Sequence, residues 1–456
     1  MTGRAFAVST RGPFGNCLMS KLNTTDLLDL WRPIAAAGGI EAHVTAELTR
    51  RGVLVQRRDT DKMSERDLEQ YRKQLKAEAE ERRKVRREAW RAYKASHIVH
   101  LGEGVFWTDD KPRDPATGKS VPDRFDLPNA EERAAENELP PLDNVQQLAD
   151  ALELSVPQLR WLAYHREAAT TVHYRRFLIP KRSGGSRAIW APLPRLKAVQ
   201  RWILQHIVEP LPVHGAVHGF FAGRSTITNA DRHSASRIVL KMDIRDFFPT
   251  ITLPRVKGLF RKAGYREQIA TLLALLCTEP PREIVTEGEK VWYVALGPRC
   301  LPQGAPTSPA ITNTLCLRLD QRLTGIANHL GWRYTRYADD MTFSLPQDHK
   351  DKPHLGALMG LVTRIVEAEG FAVNPGKTVI ARQGSRQMVT GLVVNGQKAP
   401  RTPRLLRRQM RAAAHNLSRG KPLKEGETRA RLAGYAAYIH ATDPALGDDL
   451  LEAFHA

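Results

Sequence analysis

Tyr334-Thr335-Arg336-Tyr337-Ala338-Asp339-Asp340-Met341-Thr342-Phe343-Ser344 is the stretch from which the rest of this chain is read. Residues 332–337 alternate bulky and polar groups, a break follows at Ala338-Asp339-Asp340, and 341–345 alternate again. That is the pattern of a β-hairpin with carboxylates at its tip. Adjacent acids in a turn repel each other, and a hard divalent cation such as Mg²⁺, which takes oxygen ligands, removes that cost. For the hairpin alone, a solvated Asp-Asp turn is the competing reading. A second strand shifts the balance. Arg237-Ile238-Val239-Leu240-Lys241-Met242-Asp243 is an apolar run ending in a carboxylate, followed by Ile244-Arg245-Asp246-Phe247-Phe248-Pro249. Asp243 can therefore sit beside the hairpin tip. Three carboxylates from two neighbouring strands suit two Mg²⁺ ions roughly 3.5–4 Å apart, the arrangement that serves an in-line phosphoryl displacement.

The composition agrees with a phosphate-binding protein. Across 456 residues, 69 Lys+Arg against 49 Asp+Glu leave a formal charge of +20. Such an excess predicts salt-dependent binding to a polyanion, without separating DNA, RNA and an anionic membrane surface. The length suits two or three domains. Cys17, Cys277, Cys300 and Cys316 show no metal-ligand spacing and read as reduced core thiols. No apolar run approaches the roughly 18 residues of a membrane span, and the N-terminus, despite Arg4 and Arg11, lacks the apolar segment of a secretion signal. The expected location is the cytoplasm, with no membrane partner.

Tyr337-Ala338-Asp339-Asp340 with the upstream Asp243-Ile244-x-x-Phe247-Phe248 resembles the palm of reverse transcriptases. The resemblance implies an α+β right-hand polymerase fold, with fingers, palm and thumb, and RNA-directed DNA polymerase activity. Other segments match in family order. The basic hairpin of His173 to Ile189 resembles the fingers, which implies that Arg187 and Lys181 contact an incoming triphosphate. Leu301-Pro302-Gln303-Gly304 resembles the segment in which Gln303 packs near the nascent base pair and the glycine lets the backbone approach the template-primer. Asp246 falls beside the nucleotide. Phe248 falls at a steric gate that excludes a 2′-hydroxyl, with a core aromatic as the plainer reading. Asn374-Pro375-Gly376-Lys377-Thr378 reads as a turn, whose Lys377 is implied to protonate the pyrophosphate leaving group; an ordinary exposed lysine is the alternative.

Two further motifs narrow the family. Asn229-Ala230-x-x-His233 and Val389-Thr390-Gly391 match those that set retron reverse transcriptases apart. The narrower resemblance implies a cognate structured non-coding RNA that is both template and primer. Synthesis would start from a guanosine 2′-hydroxyl and give branched multicopy single-stranded DNA from dNTPs. It also implies a role in antiphage defence with a separately encoded effector protein. No acidic cluster suggests a fused RNase H domain, so a cellular RNase H is the expected partner for template removal. Another reverse transcriptase class, such as an intron maturase or a primer-independent defence polymerase, is the nearest alternative, and a non-catalytic RNA-binding scaffold the more distant one. Against the maturase, no Cys- or His-rich endonuclease module follows the thumb.

The expected organisation is a basic, mainly helical extension with a linker over 1–140, N-terminal helices and fingers over 141–235, palm over 236–395 and a helical thumb over 396–456. In the extension, short helices are expected from Thr24 or Thr25 and over Ile40 to Val55. Residues 61–97 hold 12 Lys/Arg and 8 Asp/Glu in helix-forming sequence. That favours a long solvated helix, with an RNA-facing helix over 82–94, around Trp90 and Tyr93, as the sharper alternative. Asp109 to Asn137 reads as a linker. Asp143 or Asn144, then Ser155, can cap two short helices. Residues 398–431 carry 11 Lys/Arg against 2 Asp/Glu. That bias points to Arg404, Arg407, Arg408 and Arg411 tracking an RNA backbone.

Overall fold

The computed structural model describes residues 31–50, 54, 60, 63–107, 126–180, 184–350 and 352–455. The chain divides into two compact units, residues 1–93 and 94–456. The helix expected from Thr24 or Thr25 lies mostly outside the described residues, as do Lys181, Cys17 and much of the expected linker.

In the first unit, α1 spans Ile40–Arg50 and α2 begins at Glu65, running to Ser96. No residue of α2 is buried. It is a solvated helix held by propensity and by i,i+4 pairs such as Glu78 with Arg82 at 3.8 Å. Trp90 and Tyr93 stack on its surface with ring centroids 5.7 Å apart.

The second unit begins earlier than the boundary expected at residue 140, because Ile98, Leu101, Ala134 and Leu139 are all part of its main core. Helix α3, Ala130–Glu136, replaces the end of the expected linker; its Ala130 and Ala134 are buried. Helix α4, Val145–Ala151, is capped by Asn144, whose side chain accepts from the Gln147 amide, and α5, Val156–Ala163, by a Ser155/Gln158 capping box. β1 is the short Ala168–Ala169. β2, Tyr174–Pro180, and β3, Ser186–Pro192, form the basic hairpin. Helix α6, Pro194–Ile203, buries Leu196, Val199 and Ile203 and continues into a π-helical turn over Leu204–Val208.

The palm sheet has four antiparallel strands in the order β7-β8-β4-β9: Arg333–Tyr337, Asp340–Pro346, Ser236–Ile244 and Val373–Arg382. Strand periodicity sorts its residues into two faces. Ile238, Leu240 and Met242 of β4, Met341, Phe343 and Leu345 of β8, and Tyr334 of β7 enter the main core. Behind them lie α8 (Leu253–Ala263), α9 (Glu267–Cys277), α10 (Thr307–Leu315), α11 (Leu317–His329) and α12 (Leu355–Ala368). Every residue of α9 from Gln268 to Cys277 is buried, so this helix packs on all sides. Each fully buried Leu or Ile of this layer contributes about 1.5–3 kcal/mol. Cys277, Cys300 and Cys316 are buried and unpaired. The helices α10 and α11 are separated by a break at Cys316.

A hairpin of β5 (Arg282–Glu287) and β6 (Lys290–Ala295) pairs with β1. Helix α7 (Thr226–Asp231) and the strands β10 (Met388–Val389) and β11 (Leu392–Val393) close a second, smaller core on the other palm face. The C-terminal helices α13 (Arg404–Ser418), α14 (Arg429–His440) and α15 (Pro444–His455) have their own core of Met410, Leu432, Ala436, Ile439, Leu450 and Phe454.

Candidate active site

The β7–β8 hairpin and β4 bring the three aspartates to one corner. Asp243, the penultimate residue of β4, is the direct cross-strand partner of Asp340, the first residue of β8. Asp339 lies in the turn between β7 and β8, and its carbonyl accepts from the Ile244 amide at 3.0 Å, which clamps the turn to β4. Ala338, just before it, has a positive φ of 54°. Such a conformation costs about 1 kcal/mol or more and persists only where its surroundings impose it.

Those surroundings are a buried polar network. Arg336 is fully buried and pairs bidentately with fully buried Asp320, at 2.8 Å from Nε and 2.7 Å from Nη2. Its Nη1 donates to the Ala338 carbonyl at 3.1 Å and to Asn313 Oδ1 at 3.3 Å. Tyr334 Oη donates to the same Asp320 at 2.8 Å. Burial alone would lower the Arg336 pKa, but the Asp320 charge outweighs it, so the guanidinium stays charged. Outside the hairpin, the Arg336 amide donates to the Ala216 carbonyl and its carbonyl accepts from the His218 amide.

Asp243 is 5% exposed and does not stand alone. Lys377 Nζ donates to its Oδ2 at 3.0 Å and Asn374 Nδ2 to its Oδ1 at 3.4 Å. These two residues were expected in a turn; instead they lie within the continuous strand β9. The β4–β9 register jumps from Lys241↔Val379 to Asp243↔Asn374, so Pro375 to Thr378 bulge out of the ladder. Proline cannot donate to a ladder, and a bulge re-aims side chains. Here it turns Lys377 onto Asp243.

Asp339 has its pKa raised, first by burial and then by the neighbouring Asp243 and Asp340 charges, with its own backbone amide and Lys377 opposing. That is the signature of a corner lacking positive charge. Among the described residues no three acidic, His or Cys side chains close on a single point. The Lys377 ammonium lies beside Asp243, 3.0 Å from its Oδ2. The donor set, all carboxylate oxygen, fits a hard divalent cation.

The other residues expected at the nucleotide lie on separate elements. Arg187 is exposed on β3, opposite Ile179. Asp246 is exposed with φ 44°, and Phe248 is half-buried with its ring centroid 5.7 Å from that of Phe247. Gln303 is half-buried, and its carbonyl accepts from the Trp190 amide at 2.8 Å. Gly304 has φ 121°, and a Cβ there would lie 2.7 Å from Ile189 Cγ2 and 2.8 Å from the Trp190 carbonyl. The glycine requirement expected from close approach to nucleic acid is thus already imposed by the fingers hairpin.

The two retron-like motifs meet on the face that carries Asp243. Ala230 and Val389 share the small core with Val239, two residues before Lys241 on that face. Thr390, with φ 44°, donates to the Thr226 carbonyl at 2.9 Å, and Gly391 faces the Tyr438 hydroxyl of α14, which a Cβ would approach to 2.9 Å. His233 is fully buried, hydrogen-bonded to Thr335 of β7 and Ser344 of β8 at 2.7 Å each. Burial, then the positive charges of Arg333, His218 and Arg232, push its pKa down to about 3, so it is a neutral strut between the two strands of the hairpin. Asn229 is buried, and among the described residues neither of its amide atoms has a partner.

On the thumb, Arg404, Arg408 and Arg411 are exposed along α13 at helical spacing. Arg407 departs from the expectation that all four arginines face RNA. It is half-buried and lies 3.9 Å from Asp443, just before α15, because its position turns it off the exposed stripe.

Residues 179–403 match the family model of reverse transcriptase, the RNA-dependent DNA polymerase. The Retron Mx162 reverse transcriptase of Myxococcus xanthus is 52% identical, over 91% of this chain and 86% of the relative. The chain belongs to the retron reverse transcriptases. The Retron Mx65 enzyme of the same organism is 43% identical over 70% of this chain and 73% of its own length, and the Retron Ec86 enzyme of Escherichia coli 32% over 67% and 86%. A retron reverse transcriptase is an RNA-directed DNA polymerase whose family uses divalent metal ions, a non-coding RNA template and dNTPs. No described helix is long and apolar enough to cross a membrane.

Sequence reasoning missed Arg336, Asp320 and Asn374. A signal for the first two exists: Arg336 shares the alternation of buried Tyr334, and Asp320 follows buried Leu319 on a helix that also buries Leu323 and Ala327.

Proposed function

We propose that this enzyme copies its cognate structured RNA into branched multicopy single-stranded DNA, starting from a guanosine 2′-hydroxyl of that RNA, with two Mg²⁺ ions held by Asp243, Asp339 and Asp340. The observation that carries the reading is the register pair Asp243↔Asp340, with both retron motifs packed against the same face of the sheet. When bound, the ions lower the charge of the attacking hydroxyl and of the leaving pyrophosphate.

The protein's own groups do the rest. Asp243 and Asp340 fix the corner, and Asp339 is set by the clamp to Ile244. Arg187, with Lys181, neutralises the triphosphate. Phe248 lies under the sugar and selects dNTPs, with Asp246 beside the nucleotide and Gln303 against the nascent pair. Lys377, which donates to Asp243 Oδ2 at 3.0 Å, would give a proton to the leaving pyrophosphate, and Asp243 would be one of the carboxylates that hold the cation. Arg404, Arg408 and Arg411 hold RNA stem-loops by their backbones, as shape-based recognition requires. A cellular RNase H removes the copied template, and a separately encoded effector acts with the complex in cytoplasmic antiphage defence.

The test is to express the protein with its flanking non-coding segment, extract nucleic acid and treat it with RNase and a 2′-5′ debranching enzyme. A discrete single-stranded DNA that shifts on debranching and vanishes with Asp339→Ala is expected. DNA that is insensitive to debranching would overturn the priming step.

A further inference from the structure

Away from the acidic corner, a cleft of about 280 Å³ opens between α5, the segment after it and the β5–β6 hairpin. Its wall is aromatic. Trp161 is 53% exposed, unusual for so large an apolar side chain, and stands edge-on to His173 with ring centroids 4.2 Å apart. The His173 ring is fixed by a 2.9 Å bond to the Trp161 carbonyl. Burial lowers the pKa of this histidine, so at neutral pH it presents an uncharged ring.

The rim is cationic. The Arg160 and Arg166 guanidiniums lie 5.2 and 5.1 Å from the Tyr164 ring centroid. Arg160 is anchored by its Nε to the His100 carbonyl at 3.0 Å. The floor is rigid and electrically settled. Glu279, the one carboxylate among the described residues that line the cleft, is paired with buried Arg282 at 2.6 Å and with Arg299 at 3.6 Å. Arg282 also donates to the Arg166 and Glu167 carbonyls, which holds the segment carrying Arg166 in place.

The exposed Trp161 ring, an uncharged imidazole and two rim guanidiniums with no acidic partner among the described residues fit a planar group flanked by anions. The volume admits one nucleobase and excludes a duplex. The cleft also lies at the root of the fingers: the His173 carbonyl accepts from the Leu193 amide at the end of β3, and β3 in turn bonds Gln303.

Resting on the reading of this chain as an RNA-copying polymerase, we propose that the cleft binds one unpaired nucleotide of a single strand, its base on Trp161 and its flanking phosphates on Arg160 and Arg166. The strand is either the RNA not yet copied or the DNA already made, since both present a π-face and phosphates. Base stacking on an aromatic side chain contributes about 1–3 kcal/mol, which corresponds to roughly 5–150-fold in affinity.

The full chain is assayed by fluorescence anisotropy against three probes: an RNA–DNA hybrid with a short 5′ RNA overhang, the same hybrid blunt-ended, and free single-stranded DNA of the overhang sequence. Trp161→Ala is expected to weaken an overhang or free strand by roughly 5–150-fold, leave the blunt hybrid unchanged, and be rescued by Trp161→Phe. The paired substitution Arg160→Gln, Arg166→Gln is expected to reduce the salt dependence of the same probe. Loss on the RNA overhang alone identifies uncopied template, and loss on DNA identifies product. Equal weakening of blunt and overhang hybrids, or no weakening of either strand, overturns the proposal. Primer extension by the same wild-type preparation separates the two readings. Extension with unaltered variant binding sinks only the cleft, whereas absence of extension sinks the polymerase reading beneath it.

Discussion

Removing the Arg336 side chain is the sharpest test of how the acidic turn is held. In Arg336→Met, the Asp320 carboxylate stays fully buried with Tyr334 as its one remaining side-chain donor among the described residues. Breaking one side of a buried pair costs about 3–5 kcal/mol. The Ala338 carbonyl also loses its side-chain donor, worth about 1–3 kcal/mol where buried. In a unit this large each kcal/mol moves the thermal midpoint by roughly 2 °C or less, so a drop of about 5–10 °C is expected. Replacing both charges by apolar groups, Arg336→Met with Asp320→Leu, should recover most of that loss, because no unpaired charge remains. Activity should not recover with it. The side-chain bond to the Ala338 carbonyl is still missing, and a misplacement of about 1 Å at Asp339 can lower the rate on the order of a hundredfold. Thermal unfolding and primer extension over a Mg²⁺ titration, on the same three proteins, read both effects. A double variant that regains stability and full extension at the same Mg²⁺ concentration would refute the positioning role.

Three other expectations follow from the geometry. The folded pKa values of His233, at about 3, and of His165 and His218, at about 4, lie below the ordinary 6.5 because burial, first of all, disfavours the charged ring. Their stabilisation is therefore fully present above pH 6.5 and is lost as pH falls toward 4 and below. Urea unfolding should show this decline, and His233→Gln should remove the His233 share of it while costing about 1–3 kcal/mol at neutral pH through the Thr335 and Ser344 hydroxyls. Replacing Arg404, Arg408 and Arg411 by Gln should reduce the slope of log K against log salt for RNA by about 2–3, at somewhat under one per phosphate contact. Arg407→Gln should leave the slope alone and lower the thermal midpoint. Phe248→Ala should admit ribonucleotides, raising their relative kcat/KM by on the order of 10–200-fold, the scale of one apolar contact in a specificity pocket; unchanged discrimination would return Phe248 to the core.

The parts of this molecule that sequence made legible are those where local pattern and tertiary role coincide. The β7–β8 hairpin announces itself because Tyr334, Met341 and Phe343 alternate with polar residues, and its acids occupy the only break. Asp243 ends an apolar strand, so its pairing with Asp340 follows from register. Elsewhere a non-local contact decided the outcome. The Pro375 to Thr378 bulge reads as a turn because Pro and Gly mark turns, yet β4 beside it keeps the strand going. Gly304 answers to Ile189 and Trp190, more than a hundred positions earlier in the chain. Arg407 looks like its neighbours until Asp443 of the following helix pair is in place. Helix α3 was hidden in a Pro- and Asp-rich stretch, where the buried alanines 130 and 134 carry too little periodicity to be seen.

The central claim is that DNA is synthesised on RNA at the corner formed by Asp243, Asp339 and Asp340. The direct measurement is extension of a DNA primer on an RNA template by purified protein with Mg²⁺, wild type beside Asp339→Asn. The substitution removes a carboxylate whose charge is already disfavoured by burial and by its acidic neighbours. The variant should therefore be at least as stable as wild type in metal-free buffer near neutral pH, yet fail to extend. A folded Asp339→Asn protein that extends the primer at the wild-type rate would contradict the account.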